Sequence, residues 1–473
     1  MKKYRYLSPA VKIFLVIFLI AVSPVVRAGE EPDLPLGLDI QMESAEPELP
    51  PGLDFEEKTA APQKTTSIFS GIPSDLGGFW EIRAGIRTQK DPHEKDCSLG
   101  ETRLQLETQK TVRNLLFSVA GDFIYDPVFD HHSIRLEKGE GFIDLRESNV
   151  LFALRECCID VKLGRQILTW GTGDLLFLND LFPKDWKSFF IGRDVEYLKA
   201  PSDALKMSIF TGIANLDLVY TPRFDSDRFI EGRRISYWNN SLGRRAGRDD
   251  RVKVEKPDDW FGDHELALRI FRNVKGYELA AYTYNGFWKS PAGMDPVLDR
   301  AIFPDLSVYG ASMRGKFFKG IANLELSYYD SRDDRDGDNP LLKNSELRVL
   351  LGYEQEVAPD FTVGVQYYLE YMMDYHDYLR SLPPGSKKAD EDRHVITFRL
   401  TRLLMNQNLK LSLFAFYSPS DQDAYLRPLV HYKIDDHWSA EAGGNFFFGE
   451  NDYTFFGQFE KNNNLYAGLR YGF

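Results

Sequence analysis

The chain has 473 residues, 14% of them aromatic, a formal net charge of −13 and a mean hydropathy of −0.37. Such acidity argues against nucleic acid as a partner, three cysteines are too few for a disulfide-built fold, and no stretch reaches the roughly 18 consecutive apolar residues of a membrane-spanning helix. High aromatic content with low mean hydropathy suits a membrane β-barrel, whose inward polar residues dilute its outward apolar ones.

Residues 1–28 carry Lys2, Lys3, Arg5 and Lys12, then an apolar run over 13–22, then Val26-Arg27-Ala28 at a small-residue cleavage position. This pattern predicts a secretory signal peptide. Cleavage leaves Gly29 first, with no Cys to carry a lipid anchor. Residues 29–77 are acidic and proline-rich without a sustained period, which predicts a disordered periplasmic tail. The tail holds a repeat: EPDLPLGLD at 31–39 recurs as EPELPPGLD at 46–54, with Leu34, Leu38, Leu49 and Leu53 as its apolar positions. Residues 31–54 suit a docking handle for a periplasmic partner, a strap that enters the pore, or a spacer.

Residues 78–473 alternate with period 2, and 361–371 show it most clearly. Phe361, Val363, Val365, Tyr367, Leu369 and Tyr371 fall on one side, and Thr362, Gly364, Gln366, Tyr368 and Glu370 on the other. Segments of this kind lie near 79–89, 101–111, 114–125, 141–154, 157–168, 203–210, 213–221, 263–271 and 276–286. They continue near 307–317, 319–331, 345–356, 360–373, 394–404, 408–418, 424–434, 437–448 and 464–473. The expectation is an all-β fold, a transmembrane antiparallel barrel of about 18 strands in the outer membrane of a Gram-negative cell. Tight turns such as Lys275-Gly276 and Asn406-Gln407 are expected on the periplasmic side and longer polar loops outside. A strand at 453–459 would make the count odd, so 449–463 is read as the last outer loop. Cys97 falls in the first outer loop and Cys157-Cys158 in a periplasmic turn, too far apart to pair across the barrel.

Parity places Arg83, Arg87, Arg103, Lys162, Lys206, Arg269, Arg314, Lys316, Arg348, Arg399, Lys410, Arg427, Lys433 and Arg470 on the lumen face of a water-filled barrel. Glu81, Glu107, Asp122, Asp160, Asp217, Glu265, Glu325, Glu354, Glu370 and Glu441 share that face. A slight basic excess favours anions, while paired charges would only brace the wall. Two long loops follow the fifth and seventh segments. The first should narrow or line the pore, with Arg165 free to turn inward beside Gly164. The second holds eight arginines that would add cations near the mouth.

The closing strand presents Leu465, Ala467, Leu469, Tyr471 and Phe473 on one face. A chain ending this way carries the signal read by the barrel-insertion machinery, with Leu469, Tyr471 and Phe473 as its principal positions and outer-membrane lipids as its surroundings. Leu163-Gly-Arg-Gln-Ile-Leu-Thr-Trp-Gly171, with Asn179-Asp180, Pro183-Lys-Asp-Trp186 and Leu198-Lys-Ala-Pro201, resembles a group of largely uncharacterised bacterial outer-membrane proteins related to the alginate-export porins. Asp144-Leu-Arg-Glu147, Pro428 to Tyr432 and Arg470-Tyr-Gly-Phe473 support the resemblance, which covers the barrel and leaves the tail unmatched. It implies the fold and the membrane; the strongly basic lumen of an alginate exporter is missing. Scattered histidines (His93, His131, His132, His376, His437) without a nucleophile motif argue against an enzyme. No metal site, haem motif or other cofactor site is expected, and the tail is too short for a receptor plug. The expected function is a porin or channel for polar solutes, anions among them. The other reading is the outer-membrane component of a trans-envelope export system for lipid or polysaccharide, recruited through the tail.

Overall fold

The computed structural model describes residues 76–128, 134–136, 139, 141–154 and 158–473. The signal peptide, the tail with its repeat, His131, His132 and Cys157 lie outside the described residues.

Eighteen long strands follow one another: β1 (Leu76–Arg87), β2 (Cys97–Val112), β3 (Leu115–Tyr125), β4 (Ile143–Leu154), β5 (Ile159–Ile167), β6 (Pro201–Ile209), β7 (Asn215–Thr221), β8 (Glu265–Val274) and β9 (Tyr277–Phe287). The second half is β10 (Asp305–Phe317), β11 (Gly320–Ser331), β12 (Glu346–Ala358), β13 (Phe361–Met372), β14 (Asp392–Leu404), β15 (Leu409–Ser418), β16 (Asp423–Lys433), β17 (Trp438–Gly449) and β18 (Asn464–Gly472). Each pairs antiparallel with the next, and β18 returns to β1 from Phe79 opposite Gly472 to Arg87 opposite Asn464, which closes the sheet. Every segment expected from the alternation is one of these strands. The stretch 450–463 holds a short 3-10 helix, Gly457–Asn462, and no strand, so the even count stands.

The alternation is inside-out. In β1, Phe79, Glu81, Arg83 and Arg87 are buried while Trp80, Ile82 and Ile86 are exposed. Buried Glu and Arg opposite bare Ile is the reverse of a water-soluble sheet and is what a barrel wall against lipid requires. Phe123, Val365, Phe398 and Leu469 extend the outward apolar belt. Leu469 stands on it opposite Ile82 and Ala440. Leu469→Asp is therefore expected to lower the level of folded, heat-modifiable barrel in the membrane, because an outward carboxylate there costs on the order of 2 kcal/mol. A normal level would count against an outward Leu469. Tyr471 on the same strand packs between Trp438, at 4.9 Å between ring centres, and His437, at 5.5 Å.

One end of the barrel is closed by tight turns. In the turn between β8 and β9 both Lys275 (φ 53°) and Gly276 (φ 83°) take the left-handed conformation that matches the twist of a two-residue hairpin. The other end carries the long loops. The 222–264 loop contains a small hairpin, Tyr237–Asn239 with Arg244–Ala246. Two short helices are α1 (Trp186–Ile191) and α2 (Tyr375–Ser381). Cys97 opens β2 instead of lying in the preceding loop, and Cys97 and Cys158 are both free thiols.

The apolar core sits within the barrel, so the water-filled lumen expected from the strand number is in part occupied by the loop that follows β5. One cluster joins Leu178, Phe189, Phe190, Ile191 and Leu198 of the 168–200 loop to Leu350, Tyr368, Val395, Phe414, Phe416, Tyr425 and Phe447 of β12 to β17. A second joins Leu168, Trp170, Leu181 and Phe182 to Ala267, Tyr282, Val308 and Tyr329. The inward face is thus polar in some sectors and apolar in others, and the apolar sectors are covered by the loop.

Candidate functional site

The loop 168–200 leaves β5 and crosses the lumen. Its foot is Trp170, edge-on to Phe182 at 4.9 Å and 6.0 Å from Tyr282 of β9. Beyond it the chain turns at Gly171 (φ 81°), where an added Cβ would press on the Glu325 carboxylate at 3.2 Å. Glu325, fully buried in β11, then accepts from the Thr172 amide, the Thr172 hydroxyl (2.8 Å), the Gly173 amide (2.8 Å), the Asn179 amide (3.3 Å) and the Asn179 side chain (2.8 Å). Its neighbours at period 2 on the same face do the same work. Asn323 donates to Thr172 O (2.9 Å), Ser327 to Asn179 Oδ1 (2.7 Å) and Tyr329 to Leu178 O (2.6 Å). A carboxylate with this many donors is a rigid clamp, since each buried hydrogen bond to a charged group is worth about 1.5–3 kcal/mol.

The tip reaches further. The Asp174 amide donates to Gln366 Oε1 (2.7 Å), Gln366 Nε2 donates back to Asp174 O (2.8 Å), and the Asp174 carboxylate meets Arg399 Nε at 2.6 Å. Burial pushes the Asp174 carboxyl above the usual carboxylate range, and Arg399 pulls against that. In a ring of eighteen strands β14 lies nine places from β5, so the loop spans the diameter.

The returning arm carries α1. Asp185 caps it by accepting from the Ser188 amide at 2.8 Å, and Gly192 (φ 93°) ends it. Phe190 packs edge-on to Tyr425 (5.5 Å) and Phe447 (5.1 Å), and Phe189 packs on Tyr425 (5.8 Å). Backbone carbonyls of this arm are taken by the wall: Asn464 donates to Phe190 O (3.1 Å), Arg83 to Gly192 O (2.7 Å) and Arg427 to Arg193 O (3.0 Å). Arg193 itself pairs with Glu101 at 2.5 Å and Arg470 with Glu196 at 3.0 Å.

The inward-facing basic residues singled out by parity therefore divide. Arg83 (with Glu81 at 2.8 Å and Glu441 at 2.7 Å), Arg103 (with Glu101 at 2.6 Å, and Asp122), Arg348 (Glu346, 2.6 Å), Arg399 (Asp174) and Arg427 gather round the crossing loop. Arg87 donates to the carbonyls of Lys95 and Arg234 at the loop end, and Arg269 pairs with Glu278 at 2.6 Å on the wall away from it. Lys162, Lys206, Lys433 and Arg470 also have carboxylate partners. Among the described residues five of the set have no carboxylate within ion-pair distance: Arg87 and Arg427, which bond backbone carbonyls, and Arg314, Lys316 and Lys410. Arg165 bonds Asp203 (3.0 Å) and the carbonyls of Leu145 and Leu136, not the loop it precedes.

The second long loop also folds onto the first. Arg228 grips Asp144 of β4 with both terminal nitrogens (2.9 Å each) and Asp185 at 3.2 Å. Burial works against the Arg228 charge, and the two carboxylates more than offset it, so the guanidinium is held above its ordinary pKa. Arg223, Arg233, Arg234, Arg244 and Arg245 also have carboxylate partners, respectively Asp258, Glu231, Asp126, Asp249 and Asp452. The expected surplus of cations at the mouth is thus largely compensated.

Period-2 reading identified Glu325 as an inward acid but not as the clamp. It put Gln366 on the polar face without a role, and passed over Glu101 and the inward aromatics Phe416, Tyr425 and Phe447. A signal for the paired charges was present. Glu81-Ile-Arg83, Glu101-Thr-Arg103 and Glu346-Leu-Arg348 each put opposite charges two apart on one face of a strand.

No protein-family model matches the chain, and no curated protein matches it in sequence. Solved structures do match in fold. The chain is similar to OccAB3 of Acinetobacter baumannii at 12% identity and a TM-score of 0.51, over 84% of this chain and 98% of that one. It is also similar to OccD3 (OpdP) of Pseudomonas aeruginosa at 10% identity and a TM-score of 0.48, over 84% and 91% of the two chains. A porin structure refined at 1.8 Å matches at 12% identity and a TM-score of 0.42, over 84% and 99%.

Proposed function

We propose that the chain is an outer-membrane channel for polar solutes whose width is set by the 168–200 loop. The observation that carries this reading is the clamp of that loop onto Glu325, Gln366 and Arg399, on the far wall of a closed barrel with a charged inward face. A purely structural barrel has no need of a loop held across its lumen by polar contacts. The resemblance to proteins related to the alginate-export porins is carried by Leu163 to Gly171, which spans the end of β5 and the start of this loop, and by Asn179-Asp180, Pro183 to Trp186 and Leu198 to Pro201 further along it. Reconstituted in planar bilayers, the purified protein is expected to conduct ions, and removal of residues 172–199 to raise the single-channel current. A correctly folded barrel with an unchanged current would place the loop outside the route.

The bias toward anions is inferred from the lumen-face cations without a carboxylate partner, Arg314, Lys316 and Lys410 with Arg87 and Arg427, which slightly outnumber the acids of that face without a basic partner, Glu107, Asp160, Glu325 and Glu354; charges along a low-dielectric wall raise the local concentration of counter-ions. Arg348 and Arg399 are neutralised by Glu346 and Asp174 and add little. Replacing Arg314 and Lys410 together by Gln is expected to shift the reversal potential toward cations, most at low salt where screening is weakest. An unmoved reversal potential would remove these two residues from the selectivity of the channel.

A further inference from the structure

A cavity of 1340 Å³ lies between the crossing loop and the outer loops. Leu175, Leu176, Phe177 and Trp186 give it an apolar floor, and its opposite part is lined by Trp238, Tyr453 and residues 385–391. At one point of that outer part three loops meet on a single ammonium group. Lys387 Nζ lies 4.0 Å from the centre of the Trp238 ring and 3.6 Å from that of Tyr453, and the two rings stand 6.2 Å apart at 61°. Among the described residues Lys387 has no carboxylate within ion-pair distance, so aromatic faces alone hold it.

The two rings belong to a built frame. The hairpin carrying Trp238 is fastened to the 450–463 loop by Arg245, which reaches Asp452 (2.9 Å), Gly457 O (2.9 Å) and Gln458 O (3.1 Å), and by the Trp238 amide on Gln458 Oε1 (3.2 Å). The segment bearing Lys387 is exposed from Pro384 to Asp390 and is fastened mainly at its far end, where Tyr375 and Tyr378 bond Ala389. A fixed pair of rings and a cation on an exposed strap is the arrangement of a site filled by the chain's own substitute for a ligand. Trp238 Nε1 is buried and has no hydrogen-bond partner, a donor that an oxygen acceptor elsewhere on a solute, and not its cationic group, would satisfy.

Resting on the channel reading above, we propose that Trp238 and Tyr453 form a recognition site for solutes bearing an alkylated ammonium group, which such a solute enters by displacing Lys387. The electrostatics of the cavity suit this class. Lys343 and Arg348 are held by Glu346 (2.8 and 2.6 Å) and Arg393 by Asp421 (2.7 Å), so the basic wall is compensated. Lys388, Asp390 and Glu391 line the same part of the cavity. An alkylated ammonium sheds its water more easily than a lysine ammonium, and ring faces hold desolvated cations best.

The test is isothermal titration of the full-length protein in detergent with choline and with its uncharged isostere 3,3-dimethylbutan-1-ol. Lys387→Ala, which empties the site, is expected to bind choline roughly tenfold more tightly than the parent, with no comparable gain for the isostere. Trp238→Ala or Tyr453→Ala added to Lys387→Ala should abolish the gain, heat-modifiable migration confirming that each barrel is folded. Equal affinity for choline and isostere, or no gain from Lys387→Ala, would overturn the proposal. Ion conductance of the same preparations is read separately: a barrel that binds choline but does not conduct refutes the channel and leaves the site.

Discussion

Glu325→Ala is expected to raise the single-channel conductance several-fold without opening the barrel wall. Among the described residues the side chain bonds no other strand; all its bonds go to Thr172, Gly173 and Asn179 of the crossing loop. Truncation leaves three amides, a hydroxyl and a carboxamide without their acceptor, and a buried donor stripped of its partner costs about 1–3 kcal/mol. The lumen offers water as the replacement, so the lowest-energy response is for residues 171–179 to lift off β11 and be solvated. The links that remain, from Asn323, Ser327 and Tyr329 of β11 and from Gln366 and Arg399 at the tip, are expected to be outweighed by the five donors left without an acceptor. Hydrogen exchange should show lost protection at 172–179 and unchanged protection in β10 to β12. Glu325→Gln keeps one acceptor oxygen and should fall between parent and Ala variant. A folded Glu325→Ala barrel with parental current and parental protection would show that the loop is held by its apolar contacts.

Phe190→Ala acts on the other arm and should give the larger loss of stability. The ring is buried among Tyr425, Phe447, Phe459 and Phe189, all with centres between 5.1 and 5.5 Å. Deleting a buried Phe costs about 3–5 kcal/mol, part of it as the cavity left behind. That cavity opens on the lumen, so water enters and α1 loosens. The expected result is a lower unfolding temperature in detergent, exchange of the amides at 186–191, and a conductance increase separate from that of Glu325→Ala. Because Phe177 of one arm packs on Trp186 of the other (6.0 Å) and Leu178 shares the cluster of Phe190, the double variant should show non-additive effects on stability. Full protection of α1 in Phe190→Ala would mean that the polar contacts of Arg83, Arg427 and Asn464 suffice to hold the arm.

The strands were legible because a bilayer imposes a rule on every second residue. Val363, Val365 and Tyr367 must be apolar whatever lies inside, so parity at 361–371 was readable without any partner. The lumen face obeys no such rule. Val395, Phe414, Phe416, Tyr425 and Phe447 face inward and are apolar because a loop covers them, and nothing near them in the chain says so. Leu175-Leu176-Phe177 offered a hint, an apolar run inside a long polar loop. The charge count misled for a related reason: Arg348 and Arg399 both count as lumen cations, yet one is neutralised from two residues away and the other by a loop residue far back in the chain.

The contacts that hold the crossing loop also order events in time. Glu325 lies 153 residues after Thr172, Gln366 lies 192 after Asp174, and Asn464 lies 274 after Phe190. Such distant contacts form late, since much chain must be organised before they return any energy. Asn464 stands on the strand that seals the sheet, so this wall is complete only when the ring is. Until then the loop has most of its wall missing, and Phe189 and Phe190 have no partners on β16 and β17. Sealing the ring and narrowing its bore are thus a single late step of assembly, and a barrel that stalled before that step would be a wide leak.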